Sequence, residues 1–261
     1  MPILDTIAEV QKVERPIVTI HGGPGSWKTQ FGLDCPSPLF LAFEDGFGNR
    51  KHKSIRPTNT DTIWNTFAEL VIPGHGYRTV VLDSLDHLAP LIVREICDTH
   101  SKNTLGDFGF GKGYELEANQ WLRLFKGLHR LREAGLLVVC ICHSQVRSID
   151  DPAMSAPYDR IEPKLPKKAN AVVKELSDIL GAAVPDMSVI TDERTQKTKA
   201  VGTGKFKLQL TPTPAIEAKN RYRMQASINF TFADFLTEWQ RVNPKPEATT
   251  NTATSQESSQ P

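Results

Sequence analysis

The stretch His21-Gly22-Gly23-Pro24-Gly25-Ser26-Trp27-Lys28-Thr29 departs at a single place from the phosphate-binding pattern G-x-x-x-x-G-K-[ST]. Gly22, Lys28 and Thr29 stand where the pattern asks, and Trp27 occupies the position of its second glycine. The residues before it, Pro16-Ile17-Val18-Thr19-Ile20, form a short β-branched run that reads as a buried strand, and Thr29-Gln30-Phe31-Gly32-Leu33 can open a helix. A strand that feeds a glycine-rich turn into a helix start aims successive backbone N–H groups at one point, where a phosphate binds. The expected nucleotide site is therefore Gly22, Gly23, Pro24, Gly25, Ser26, Trp27, Lys28 and Thr29. Lys28 would place a point charge on the β- and γ-phosphates of ATP, and the Thr29 hydroxyl would ligate Mg2+. Trp27 works against this reading. Glycine admits a close backbone approach that a side chain obstructs, so the indole is expected to reshape the cradle or slow turnover.

Outward from this loop, short apolar runs recur between helical patterns: Ile17 to Ile20, Leu39 to Phe43, Thr79 to Leu82 and Leu136 to Cys142. Strands alternating with helices argue for an α/β fold whose mostly parallel sheet is flanked by helices, and unbroken apolarity marks strands buried on both faces. The clearest helix spans about Tyr114 to Ala134, with Leu122, Phe125, Leu128 and Leu131 at helical spacing and Gly135 as its stop; a second covers Ala169 to Leu180. Asp186 to Thr191 and Lys205 to Thr211 read as a C-terminal β-hairpin. From Asn243 to Pro261 the chain is mostly Pro, Thr, Ser, Gln and Asn, which cannot build a core and reads as a disordered tail. The organisation expected is an N-terminal extension over 1–15, one ATPase domain over 16–242 and the tail over 243–261.

In open α/β sheets ligands gather at the carboxyl ends of the strands, so the polar residues there carry the chemistry. Thr79-Val80-Val81-Leu82-Asp83 has the form of a Walker B strand, and Asp83 is expected to hold Mg2+ opposite Thr29. Ser84 and Asp86 follow closely and could assist. Leu39 to Phe43 delivers Glu44, which could orient and deprotonate the water that attacks the γ-phosphate. Leu137 to Cys142 delivers His143 to the same edge, where it could touch the γ-phosphate.

These residues together resemble the RecA-like P-loop ATPases. Three later stretches, Asp107-Phe108-Gly109-Phe110-Gly111-Lys112-Gly113-Tyr114, Tyr158-Asp159-Arg160-Ile161-Glu162-Pro163-Lys164-Leu165 and Ala218-Lys219-Asn220-Arg221-Tyr222, resemble more narrowly the phage-encoded nucleotide-binding ATPases. That group includes the RecA-like branch of the Sak single-strand annealing proteins. The resemblance runs from about Pro16 to Trp239. It implies an ATP-dependent, single-stranded-DNA-binding protein that promotes annealing or exchange, acts as a homo-oligomeric ring or filament, and meets a single-strand-binding protein as partner. It also implies that Lys219 and Arg221 reach the γ-phosphate of a neighbouring subunit, where a cation supplied in trans stabilises the transferring phosphoryl group.

Two segments read as loops that leave the ligand edge. Lys102 to Tyr114 interleaves Phe108, Phe110 and Tyr114 with glycines and Lys112; aromatic faces stack on bases without reading sequence, and lysines track the backbone. Ser144 to Ala169 carries Arg147, Arg160, Lys164, Lys167 and Lys168. Between Arg194 and Arg223 eight basic residues stand against Glu217 alone, although the formal net charge of the 261 residues is only +1. The cysteines, Cys35, Cys97, Cys140 and Cys142, lack C-x-x-C spacing and read as buried thiols in a reducing compartment. No apolar stretch has membrane-span length and Met1 to Glu14 has no signal-peptide core, so the expected location is cytoplasmic, that of a bacterial host if the chain is phage-encoded. Two other classes compete: a non-hydrolysing scaffold that binds nucleotide or DNA only to assemble with partners, and a P-loop phosphotransferase acting on a small substrate.

Overall fold

A computed structural model describes residues 15–191 and 198–244, as backbone only over 188–191 and 198–201. The expected extension and tail otherwise lie outside the described residues, as do Arg194 and Lys197. The first strand, β1 (Ile17–Gly22), leads into α1 (Lys28–Leu33), β2 (Pro38–Ala42), β3 (Ser54–Ile55), α2 (Thr60–Val71), β4 (Thr79–Asp83) and α3 (Leu85–Thr99). A 3-10 turn at Leu105–Phe108 precedes α4 (Lys112–Glu133), β5 (Leu137–Ile149), β6 (Tyr158–Pro163) and α5 (Lys167–Leu176). The chain ends in β7 (Ile179–Thr191), β8 (Thr198–Gln209), β9 (Lys219–Asn220), β10 (Ser227–Asn229) and α6 (Phe232–Val242).

Six strands pair in parallel in the order β7-β1-β5-β4-β2-β3, and β8 and β10 extend the β7 side antiparallel. β5 therefore lies between β1 and β4, and pairs Val139 with both Val18 and Val81. The period of two along each strand explains the unbroken apolar runs. Leu39 and Leu41, Val80 and Leu82, and Val138, Cys140 and Cys142 face one layer made by α2, α3, α4 and α5. Their alternates Phe40, Val81, Val139 and Ile141 face a second layer with Phe31 of α1 and Phe232 and Phe235 of α6. Phe31 stacks on Phe230 at 5.5 Å and meets Phe232 and Phe235 edge-on at 5.6 Å, so α6 pins the short helix that carries Lys28 and Thr29. All four cysteines are free and buried.

Two expectations are corrected. The helix at Ala169 to Leu180 ends at Leu176, and Ile179 and Leu180 begin β7. Ser177 turns extended, and the Asp178 carboxylate accepts the Ile17 N–H at 2.9 Å, drawing the chain into the sheet beside β1. Ser144 to Ala169 is not a loop. β5 runs on to Ile149 and pairs antiparallel with β6, Arg147 opposite Arg160, as a ribbon beyond the main sheet. The expected C-terminal hairpin is present with longer strands, β7 against β8.

His21 closes β1 in full burial, its Nδ1 2.9 Å from Ser144 Oγ and its Nε2 2.8 Å from the Glu217 carbonyl. Burial pushes its pKa down to about 4. The fold therefore favours the neutral ring, a contribution complete above the ordinary pKa of 6.5 and lost as the pH falls through 4. Urea unfolding at pH 7.5 and pH 4 should show the parent losing about 3 kcal/mol relative to His21→Gln over that interval. A difference that does not change with pH would contradict the assignment.

Candidate active site

The phosphate loop depends on close packing at its first glycine. A Cβ on Gly22 would come within 2.6 Å of Ser26 Oγ and 2.9 Å of Ala183 Cβ, so a side chain there would push β1 away from β7 or unfold the turn. At its other end Trp27 holds φ 64° and ψ 19°, the left-handed conformation that the missing glycine would adopt without strain. Its side chain is 59% exposed and stands at the mouth of the cleft. Trp27 thus takes the left-handed backbone that a glycine would take there, at a cost in strain.

Lys28 is folded back on the loop. Its Nζ donates to the carbonyls of Gly22 at 2.9 Å and Gly23 at 2.8 Å and to Ser26 Oγ at 3.2 Å. Burial lowers its pKa, although Asp83 and Glu44 nearby favour the charge. α1 has only six residues, so its dipole is small, and the positive potential comes from Lys28 and the unpaired N–H groups of the first turn.

Opposite the loop, Thr29 Oγ1 donates to Asp83 Oδ2 at 2.8 Å. Asp83 ends β4 and is 2% exposed, and burial pushes its pKa up to about 6. Asp86, in the first turn of α3, grips the edge residue of β5: Oδ1 accepts the His143 N–H at 3.0 Å and Oδ2 lies 2.9 Å from His143 Nδ1. Burial alone would raise Asp86, but these hydrogen bonds outweigh it and hold the carboxyl well below the usual range. The same pairing raises the pKa of His143. A cleft of about 420 Å³ is lined by Pro24 to Gln30, Glu44, Gly46, Arg50, Asp83 and His143. Of the expected nucleotide, metal and base residues, Pro24 to Thr29, Glu44, Asp83 and His143 converge on one space, while Gly22 and Gly23 are not among its lining.

Lys219 and Arg221 do not join them within the chain. Lys219 Nζ donates to the carbonyls of Lys174, Glu175 and Ser177 at the end of α5, and Arg221 pairs with Asp178 at 2.9 Å. Asp178 sits at the amino end of β7, the edge of the sheet opposite the phosphate loop. The residues expected at DNA divide by exposure. Phe110, Tyr114, Lys102, Lys112, Lys164, Lys167 and Lys168 are exposed. Phe108 is half-buried against His100 at 5.3 Å, Arg147 pairs with Glu162 at 2.6 Å, and Arg160 binds the Pro214 carbonyl at 3.0 Å.

Arg50 on the cleft wall and His87 beside Glu44 escaped the sequence reading. Arg50 donates to the carbonyls of Phe47 and Gly46 and to Gln30 Oε1, lying along the cleft wall. His87 stands 3.6 Å from Glu44 and 2.8 Å from Ser84 Oγ. The basic run Arg50-Lys51-His52-Lys53 and the spacing of His87 from Asp83 were the available signals.

Residues 14–222 match a family model described as an AAA domain. No curated protein matches the chain.

Glycine at position 27 relieves the left-handed strain and surrenders little buried surface. Trp27→Gly should therefore stabilise the nucleotide-free chain by roughly 1 kcal/mol in urea unfolding. A loss of stability would mean that the indole makes contacts worth more than the strain.

Proposed function

We propose that this chain, which belongs to the AAA domain family, hydrolyses ATP with Mg2+. From the resemblance of its later stretches and not from the family, we further propose that it couples hydrolysis to single-stranded DNA in strand annealing or exchange during phage recombination. The observation that carries the ATPase reading is the 2.8 Å pairing of Thr29 with Asp83 beside Lys28. A hydroxyl and a carboxylate at one point are the hard oxygen donors that Mg2+ takes, so these residues fit the ion. When bound, Mg2+ would neutralise charge on the phosphate oxygens.

The chain's own residues supply the rest. The contacts of Lys28 are to loop oxygens, so an incoming phosphate offers its ammonium a charged partner in their place. Glu44, a quarter exposed at the end of β2, can accept a proton from a water in the cleft. His143, fixed by Asp86, can donate from Nε2 toward the terminal phosphate. That donor lies on the strand whose continuation forms the ribbon with β6, so occupancy of the cleft is joined to the ribbon through one strand.

Support for single-stranded DNA comes from Phe110. Its ring is fully exposed on a tip where Gly109, Phe110 and Gly111 hold φ of 67°, 45° and 74°. A large apolar ring held outward on such backbone invites a flat partner, and bases provide one without sequence preference. A groove of about 720 Å³ is lined by Arg94, Lys102 and Lys164 and also by Asp86. It therefore brings both expected DNA segments within reach of the residue that holds His143. Phe108 is half-buried against His100 and offers less of its ring than Phe110. Assembly into a ring or filament that used Lys219 in trans would first have to break its three hydrogen bonds to α5.

ATP hydrolysis by the purified chain should rise when single-stranded DNA is added, and Lys28→Ala should lower it on the order of 100-fold. Phe110→Ala should weaken DNA binding about tenfold in fluorescence anisotropy without changing the DNA-free rate. Hydrolysis indifferent to DNA would leave the scaffold or phosphotransferase class standing.

A further inference from the structure

A second group of donors, of different chemistry, lies beside the Thr29–Asp83 pair. Glu44 at the end of β2, His87 in the first turn of α3 and His143 on β5 each offer one ligand atom, and these atoms lie within 4.8 Å of one another. Two imidazoles and one carboxylate from three separate elements form a borderline-soft set. Such a set suits Zn2+ and its neighbours, whereas Mg2+ takes oxygen and keeps its waters.

The surroundings favour ligation. Asp86 occupies Nδ1 of His143 at 2.9 Å and its main-chain N–H at 3.0 Å, which fixes the ring and leaves Nε2 to donate its lone pair. A carboxylate behind a histidine is how metal-binding imidazoles are oriented. The His87 nitrogen that faces Glu44, Nδ1 at 3.6 Å, lies 2.8 Å from Ser84 Oγ, so ligation through it replaces that hydrogen bond. Bond lengths near 2.1 Å place tetrahedral ligands about 3.4 Å apart. The His87 side chain is 45% exposed, so a change of rotamer can close the difference. The thiols offer no competing site. All four are buried, and burial pushes Cys140 up to about 12.

We propose that Glu44, His87 and His143 bind a dication of the zinc class, and that the ion brakes ATP hydrolysis by engaging the Glu44 carboxylate. Binding stands on the geometry alone; the brake rests on the reading of Glu44 as the base.

Co2+ titrated into the full nucleotide-free chain should give visible d–d absorption at one equivalent, which Zn2+ abolishes by displacement. His87→Ala should weaken Co2+ binding about tenfold or more, and so should Asp86→Asn, which removes no ligand. Circular dichroism and thermal unfolding would establish that both variants are folded. No absorption, or equal affinity in parent and His87→Ala, overturns the site. Micromolar Zn2+ should then inhibit hydrolysis by the parent and not by His87→Ala, each compared with its own zinc-free rate. Binding that leaves the parent's hydrolysis untouched overturns the brake. A chain that hydrolyses no ATP without zinc would defeat the ATPase reading instead, while the Co2+ titration still decides the site.

Discussion

The 2.8 Å hydrogen bond from Thr29 to Asp83 joins α1, the helix that follows β1, to β4, a strand that is not a neighbour of β1, and the rest of the site follows from what makes it possible. β5 lies between β1 and β4, so the loop after β1 must reach across an intervening strand to meet the acid. That reach is set by the close packing of Gly22 on Ala183, the left-handed turn at Trp27, and Phe31 held among the rings of Phe230, Phe232 and Phe235. The inserted strand carries His143 into the gap between the pair and Asp86. One topological fact thus places the glycine-rich loop, the Asp83 carboxylate and His143 around a single cleft.

Burial gives these polar groups their character. Asp83 and Lys28 are both desolvated, which weakens the charge of each in the free chain and strengthens any interaction with a bound anion or cation. Asp86 takes the opposite course, because hydrogen bonds from His143 hold it ionised. Two aspartates three positions apart are therefore shifted in opposite directions, one at a strand end and one in the first turn of a helix. The contrast suits Asp83 to a metal that arrives with the nucleotide and Asp86 to the permanent orientation of His143.

The features legible in the sequence were local ones. The apolar runs gave the strands because both faces of the sheet are covered, and Gly22, Lys28, Thr29 and Asp83 lie close to the strand ends that position them. The features that were not legible depend on partners distant in sequence. The helix at Ala169 overran because Val172, Val173, Leu176 and Leu180 keep an apolar spacing, and only the contact of Asp178 with Ile17 ends it. The ribbon of β5 and β6 was read as a loop because its residues are mostly polar, and the burial of Glu162 and Pro163 within it carries no apolar alternation to signal a strand. Arg50 and His87 gain meaning only from Gln30 and Glu44 on other elements. The size of Trp27 was legible in the sequence, whereas its left-handed backbone and the exposure of its side chain were not.

The central claim is that Thr29 and Asp83 together complete a nucleotide site that requires a divalent cation. Calorimetric titration of a non-hydrolysable ATP analogue, with Mg2+ and with a chelator, in the parent and in Asp83→Asn tests it most directly. The expected result is that Mg2+ tightens binding to the parent by roughly tenfold, about 1.4 kcal/mol, and does nothing for the variant. Equal affinity for the analogue with and without Mg2+ in the parent would contradict the claim.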